Sequence, residues 1–285
     1  MSDGDRSPTL RLRRLGREMR RLRDAAGMTI QQAADELEWS TSKISRLENG
    51  LTRRPDVHVI RVLCAAYRVE DEQVVNGLVT LAREARHPAW WTVYRDVFRG
   101  PYVGLEAEAA AISSYQLGLI PGLLQTPDYA RAITRAASVR DPAEVERRVA
   151  ARMERQRILE KDDPTRLWAV IDEAALLRTV HLPQVHERQL RRLIDTSPLS
   201  HVKLQVLPMS AGPHAGLAGQ FVILDFPDPT DRSIVYLETP ADGLYLEETG
   251  ELDRFRLMFR HLSDSALSAD ASIAYLSDLV DRLEG

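Results

Sequence analysis

The chain has one cysteine among 285 residues, so it can form no internal disulfide. Cys64 sits at an apolar helical position in VIRVLCAAY and reads as a buried, inert thiol. No apolar run approaches the roughly 20 residues that cross a bilayer, and the opening MSDGDRSPTL has no apolar signal core. The seven histidines are His58, His87, His181, His186, His201, His214 and His261. They form no HExxH pair and no metal-like spacing with Cys64. GPHAGLAGQF lacks the lysine and following helix of a phosphate-cradling loop, and Ser113-Ser114 lack a nucleophile-elbow context. The acidic pair Asp172-Glu173 follows a predicted strand and reads either as a helix cap or as an acid–base pair. The expectation is a cytoplasmic protein that is not an enzyme, with no cofactor, no metal and no membrane partner.

What is present is ordinary in amount and uneven in placement. An apolar fraction of 44% and a charged fraction of 28% are those of a soluble globular protein, and the length suffices for two domains. Net charge is −4, yet residues 6–68 carry 14 Lys/Arg against 7 Asp/Glu, while residues 69–285 carry 24 against 33. A basic module on an acidic body suits a polyanionic partner for the first part only.

The basic module spells out a run of helices. Leu12, Leu15, Met19, Leu22 and Ala26 recur at three- and four-residue spacing, which predicts a helix over 10–26 studded with arginines. Gly27 ends it. Thr29, with Gln32 three residues on, has the pattern of a capping box, opening a helix that buries Ile30, Ala33, Ala34 and Leu37. Ser40 caps the next helix, in which Ile44 and Leu47 point to the core. Thr41, Ser42, Ser45, Arg46 and Asn49 fall on its opposite face, flanked by Lys43. Hydroxyl, amide and cationic groups without an acid are what base edges and phosphates require. Gly50 closes that helix, and Arg53 and Arg54 follow where backbone phosphate would lie. Pro55 or Asp56 begins a fourth helix with Ile60, Leu63, Cys64 and Tyr67 inward, and a fifth spans 72–86. Glu48 is the exception in a basic surface. It reads either as a surface acid or as an inward-turned partner of an arginine on the first helix.

Two short helices at a tight turn, the second with a polar basic face, are the layout of a helix-turn-helix. Residues 12–68 resemble the five-helix DNA-binding domain of the phage-repressor and xenobiotic-response-element (XRE) family of regulators. Gly27, Ala33, Ala34, Leu37, Ile44, Ser45, Leu47, Glu48, Asn49, Gly50 and Pro55 carry the resemblance. It implies that Thr41, Ser42 and Arg46 read bases and that Lys43, Asn49, Arg53 and Arg54 meet phosphate. It also implies a structural ion pair between Arg23 and Glu48, and a dimer on double-stranded DNA. Ile30 departs from the family, which often places Gln there; Gln31 or the backbone N–H groups at that helix start are the replacements available.

The rest of the chain changes character. His87-Pro88-Ala89 reads as a hinge, and Trp90, Trp91, Tyr94 and Phe98 supply aromatic area suited to anchoring one domain to another. Residues 105–117 look helical. Thr126-Pro127-Asp128 and Asp141-Pro142-Ala143-Glu144 both look like helix starts, the second opening a helix to about residue 160. RLWAVID, HVKLQVLP, QFVILDF and SIVYLE read as strands; DEAALLRTV and VHERQLRRLIDT read as helical interludes, and residues 252–283 return to helix. GPHAGLAGQF reads either as a mobile connection between strands or as a lip over a pocket. The expectation is a helix-turn-helix bundle over 1–87 and, over 88–285, an α+β domain with a small, largely antiparallel sheet. Residues 90–280 are similar to the C-terminal domain, of uncharacterised function, attached to many actinomycete regulators of this type. YVGLEAEA, PGLLQTPDYARA, RQRILE, IDEAALLR, VLPMSAGPHAGLAGQF and VYLETPADGLYLE carry that likeness. Val180-His181-Leu182 stands where that family more usually has glycine. The resemblance implies a transcription regulator, sometimes antitoxin-like, and supplies no ligand. The expectation is a homodimeric repressor, since occupying a promoter suffices for repression, whose acidic second domain dimerises and receives a small-molecule effector or a small protein. The alternative is an antitoxin-like protein that sequesters a small partner and autoregulates.

Overall fold

A computed structural model describes residues 10–52, 54–86, 90–94, 96–98, 100–137, 139–239 and 243–284. The chain divides into two compact units, residues 1–105 and 106–285. The expected hinge at 87–89 lies outside the described residues.

The first unit holds helices α1 (Leu10–Ala25), α2 (Ile30–Glu36), α3 (Thr41–Glu48), α4 (Val57–Ala66) and α5 (Glu72–Arg86). Leu15, Met19, Ala33, Ala34, Ile44, Leu47, Ile60, Leu63, Cys64, Tyr67, Leu78, Val79 and Ala82 form one buried core, so the apolar spacing of five separate segments converges on a single interior. Gly16 makes that convergence possible. A Cβ there would lie 2.4 Å from the Glu48 carbonyl oxygen and 2.7 Å from that of Leu47, so α1 crosses the end of α3 in backbone contact. Trp90 stands edge-on to Trp91, Tyr94 and Phe98 at ring separations of 5.8, 6.3 and 5.9 Å. These aromatics pack on one another.

Helix α6 (Tyr102–Glu108) runs across the division at 105/106, and strand β1 (Ala111–Gln116) follows in the second unit. The helix expected over 105–117 is thus corrected. Its second half, AISSYQ, pairs on both sides in the middle of a sheet, and tertiary pairing overrides local propensity there. The remaining elements are α7 (Pro127–Ala136), α8 (Pro142–Gln156), β2 (Arg166–Asp172), α9 (Glu173–Leu177), α10 (Pro183–Thr196), β3 (Val202–Leu207), β4 (Phe221–Asp225), β5 (Ile234–Glu238), β6 (Gly243–Leu246), α11 (Thr249–Ser265) and α12 (Ala269–Glu284). The six strands form one mixed sheet in the order β3-β2-β1-β4-β5-β6. The β1–β4, β4–β5 and β5–β6 pairs are antiparallel; β1–β2 and β2–β3 are parallel. The parallel half follows from the helices α7, α8 and α10, which supply the crossovers that parallel strands require.

One sheet face, with Tyr115, Val170, Leu207, Phe221, Ile223 and Val235, is covered by Leu252, Phe255, Phe259 and Leu262 of α11. The other face carries Ile112, Ser114 and Gln116 of β1 beside Leu167, Ala169 and Ile171 of β2, and the mutually packed α7, α8 and α10 are the layer left for it. A buried glutamine network fixes the turn before α7: Gln125 donates to the Ile120 carbonyl, Gln156 to those of Gly122 and Gln125, and Gln189 to that of Leu124. The residues at 180–182 turn without glycine and without positive φ, closed by the Leu182 N–H on the Thr179 carbonyl at 2.8 Å.

Candidate nucleic-acid interface

The helix-turn-helix is built by its caps. Thr29 accepts from the Gln32 N–H while Gln32 accepts from the Thr29 N–H, a closed capping box that starts α2. α2 ends in a left-handed residue, Glu38 at φ 54°, with the Trp39 N–H on the Ala34 carbonyl at 2.9 Å. Ser40 accepts from the Lys43 N–H and starts α3. Gly50 at φ 70° closes it. These local devices leave little freedom in how α3 is presented.

On α3 the sides divide cleanly. Ile44 and Leu47 are buried; Thr41, Ser42, Lys43, Arg46 and Asn49 are exposed, and Ser45 is half-buried. Thr41, Ser42 and Arg46 are exposed and make no side-chain hydrogen bond, ion pair or ring contact with a described residue. Lys43 is steadied within the turn. Its Nζ lies 3.3 Å from the centre of the Trp39 ring, a cation–π contact that holds the charge over the turn. The sequence reading missed Trp39, whose only signal was a large aromatic in an otherwise polar turn. Asn49 uses its amide N–H on Ser45, at 2.8 Å to the carbonyl and 3.2 Å to Oγ; its carbonyl oxygen faces out without a donor. Gln31 donates to Asp35 at 2.7 Å, so its free group is also an acceptor. Arg54 is exposed and unpaired among the described residues; Arg53 lies outside them.

Glu48 turns inward. Its carboxylate takes Arg23 Nε at 2.7 Å and Nη2 at 2.9 Å, with 7% of the Arg23 side chain exposed and 3% of the Glu48 side chain. Arg23 also donates to Asp24 and to the Met28 carbonyl, each at 2.7 Å. The Glu48 hydrogen bond raises the Arg23 pKa above its ordinary value, outweighing burial. One guanidinium therefore ties α1, the α1–α2 linker and the end of α3 together, and takes the only acid of α3 off the outer face.

Residues 14–76 match the family described as a helix-turn-helix domain (HTH_31). Residues 100–278, more than half of the chain, match the family described as a domain of unknown function (DUF5753). The chain belongs to the DUF5753 family. No curated protein and no solved structure matches it. The helix-turn-helix places this DUF5753 member in the class of DNA-binding transcription regulators. Among the described residues, no helix is long and apolar enough to cross a membrane.

In the DUF5753 region the acidic pair has structural work. Asp172 caps α9 through the Ala174 N–H at 2.9 Å. Glu173 accepts from the Tyr275 hydroxyl at 2.6 Å and the Met209 N–H at 2.7 Å. GPHAGLAGQF is seated. A Cβ at Gly216 would lie 2.4 Å from the Tyr115 ring, and His214 Nε2 stands 3.5 Å from Asp172. Ser114 is buried and accepts from Gln116 at 2.9 Å. Among the described residues no group of three or more His, Cys, Asp or Glu is placed to hold a metal.

Proposed function

We propose that this protein is a sequence-specific transcriptional repressor that acts as a homodimer. In this reading α3 enters the major groove. Thr41, Ser42 and Arg46 read base edges, while Arg54, Lys43 and the helix starts hold phosphate. The observation that carries the reading is the outer face of α3. Its base-reading candidates are exposed and unpartnered, and its one acid is withdrawn into the pair with Arg23. Lys43 over Trp39 steadies the turn and keeps its N–H donors for phosphate, while Gln31, donating to Asp35, keeps its carbonyl oxygen to accept.

The DUF5753 region is the dimerising and signal-receiving part, and it acts without catalysis. A signal shifts DNA affinity only by binding the DNA-competent and incompetent arrangements unequally. The structural duties of Asp172 and Glu173 support regulation over acid–base chemistry.

The test is selection of genomic DNA fragments by purified wild type and by Thr41→Ala/Arg46→Ala. Enrichment of a few two-fold-related sites by the wild type alone is the expected result. Equal enrichment by both proteins removes Thr41 and Arg46 from base reading. If neither protein enriches anything, the antitoxin-like reading moves ahead.

A further inference from the structure

The arginines of α8 are not equivalent. Arg148 pairs with Glu144 at 2.6 Å. Arg155 is held by both carboxylate oxygens of the buried Glu106 at 2.8 Å. Arg152, between them on the helix, has no carboxylate partner among the described residues. Its guanidinium makes one hydrogen bond, from Nη1 to Gln125 Oε1 at 3.0 Å. That glutamine is fixed in turn, since its own amide donates to the Ile120 carbonyl at 2.7 Å. The side chain is partly buried, yet its remaining N–H groups are not sealed from solvent. Burial, then the charge of Arg155, pull its pKa down to about 10. Glu238 acts on it electrostatically in the opposite sense.

The sheet beside it is unusual too. Register places Ser114, Val222, Tyr236 and Tyr245 in one row across β1, β4, β5 and β6 on one face. Gln116 and Glu238 lie two residues further on, on the same face, at the carboxyl ends of β1 and β5. Gln220, just before β4, donates to Glu238 at 3.3 Å. On the β2–β3 side the same face is apolar and buried, with Ala169, Ile171, Leu204 and Val206. On the β1–β4–β5–β6 side it is polar, with Gln116, Gln220, Tyr236 and Tyr245 half-buried and Glu238 exposed. β1 is also where the neighbours change from a parallel strand to an antiparallel one. Because β4 is antiparallel to both, β1 and β5 end on the same side of the sheet, which is where Gln116, Gln220 and Glu238 gather.

We propose that Arg152 and this polar sheet edge form a binding site for a small organic anion. A carboxylate or phosphate of the ligand pairs with Arg152. A hydroxyl or ammonium group of the same molecule meets Glu238, Gln116 or Gln220. A ligand with both features is selected over a bare anion by the opposed charges of Arg152 and Glu238. The site is built from residues of the second unit alone, and its existence does not depend on the repressor reading.

The experiment is thermal denaturation of the full chain in rising sodium phosphate and, in a second arm, sodium acetate, against sodium chloride of matched ionic strength. Wild type is expected to show a saturable rise in Tm beyond that in chloride, in phosphate or in both. The arm that responds names the anionic group. Arg152→Gln is expected to weaken that response about ten- to hundredfold in apparent affinity. Glu238→Gln is expected to strengthen it, because the like charge is gone. In the proposed reading the helix-turn-helix would bind phosphate too, so Arg46→Ala/Arg54→Ala is the control, and it is expected to keep the Arg152-dependent response. Arg152→Lys serves in place of Arg152→Gln should the latter fail to fold, and is expected to keep the response in weakened form. Absence of a saturable rise in both anions overturns the proposal. So does a response that survives Arg152→Gln unchanged or vanishes in the helix-turn-helix variant. DNA binding measured on the same variants separates this outcome from failure of the repressor reading.

Discussion

Breaking the Arg23–Glu48 pair is the sharpest perturbation of the DNA-binding unit. Glu48→Ala removes both acceptors from a guanidinium whose side chain is 7% exposed. The Asp24 carboxylate and the Met28 carbonyl remain to it, so the loss lies at the lower end of the range for an orphaned buried partner, about 3 kcal/mol. Arg23→Met leaves a carboxylate with 3% of its side chain exposed and no other side-chain donor among the described residues, which points to the upper end, about 5 kcal/mol. The combined Arg23→Met/Glu48→Leu variant replaces both charges with apolar volume. Its loss is expected to be well below the sum of the single losses, about 1–2 kcal/mol or less. Urea denaturation followed by helix signal, in a four-protein cycle, measures this coupling. DNA affinity on the same proteins reports whether α3 has moved. Single variants each within about 0.5 kcal/mol of wild type, or a double variant equal to the sum, would refute the reasoning.

Gly16→Ala is expected to destabilise the first unit by about 1–3 kcal/mol in urea denaturation and to weaken DNA binding, because the backbone of α3 cannot yield at 2.4 Å; an unchanged midpoint would deny the close crossing. His186 is buried, with Nδ1 3.3 Å from Thr179 Oγ1, and burial holds its pKa below the ordinary 6.5. The unfolded chain then binds the proton more tightly, so His186 contributes full stability above about pH 6.5 and loses it as pH falls through the folded-state value. His186→Gln is expected to flatten that acid-side slope in denaturation midpoints measured from pH 7.5 to 5, and an identical slope would contradict it.

Much of the first unit was legible because its signals are local. The capping box at Thr29, the Ser40 cap and the glycine stops at 27 and 50 each act within four residues, and apolar spacing does the rest. What escaped was non-local. Gly16 looks like any helix glycine until the Glu48 carbonyl lies against it. Trp39 is the exception: its partner lysine is only four residues on, but a cation–π contact leaves no mark in the apolar spacing. In the second unit the helix starts at Thr126 and Asp141 were clear for the same local reason. AISSYQ read as helix because its neighbours are alanine-rich; only its partners on β2 and β4 make it a strand. β6, four residues that open on a glycine, is too short to declare itself. Arg152 was one arginine among many on an Arg/Glu-rich helix, and only the pairing of its neighbours singles it out.

The most direct test of the account is a titration of wild type, Arg46→Ala and Arg54→Ala against a selected site and a shuffled one, over a range of salt. Arg46→Ala is expected to lower discrimination between the two by about 1–3 kcal/mol. Arg54→Ala is expected to weaken both about equally and to reduce the salt slope by about one. If Arg46→Ala leaves discrimination intact, α3 does not read the sequence through this face and the central claim fails.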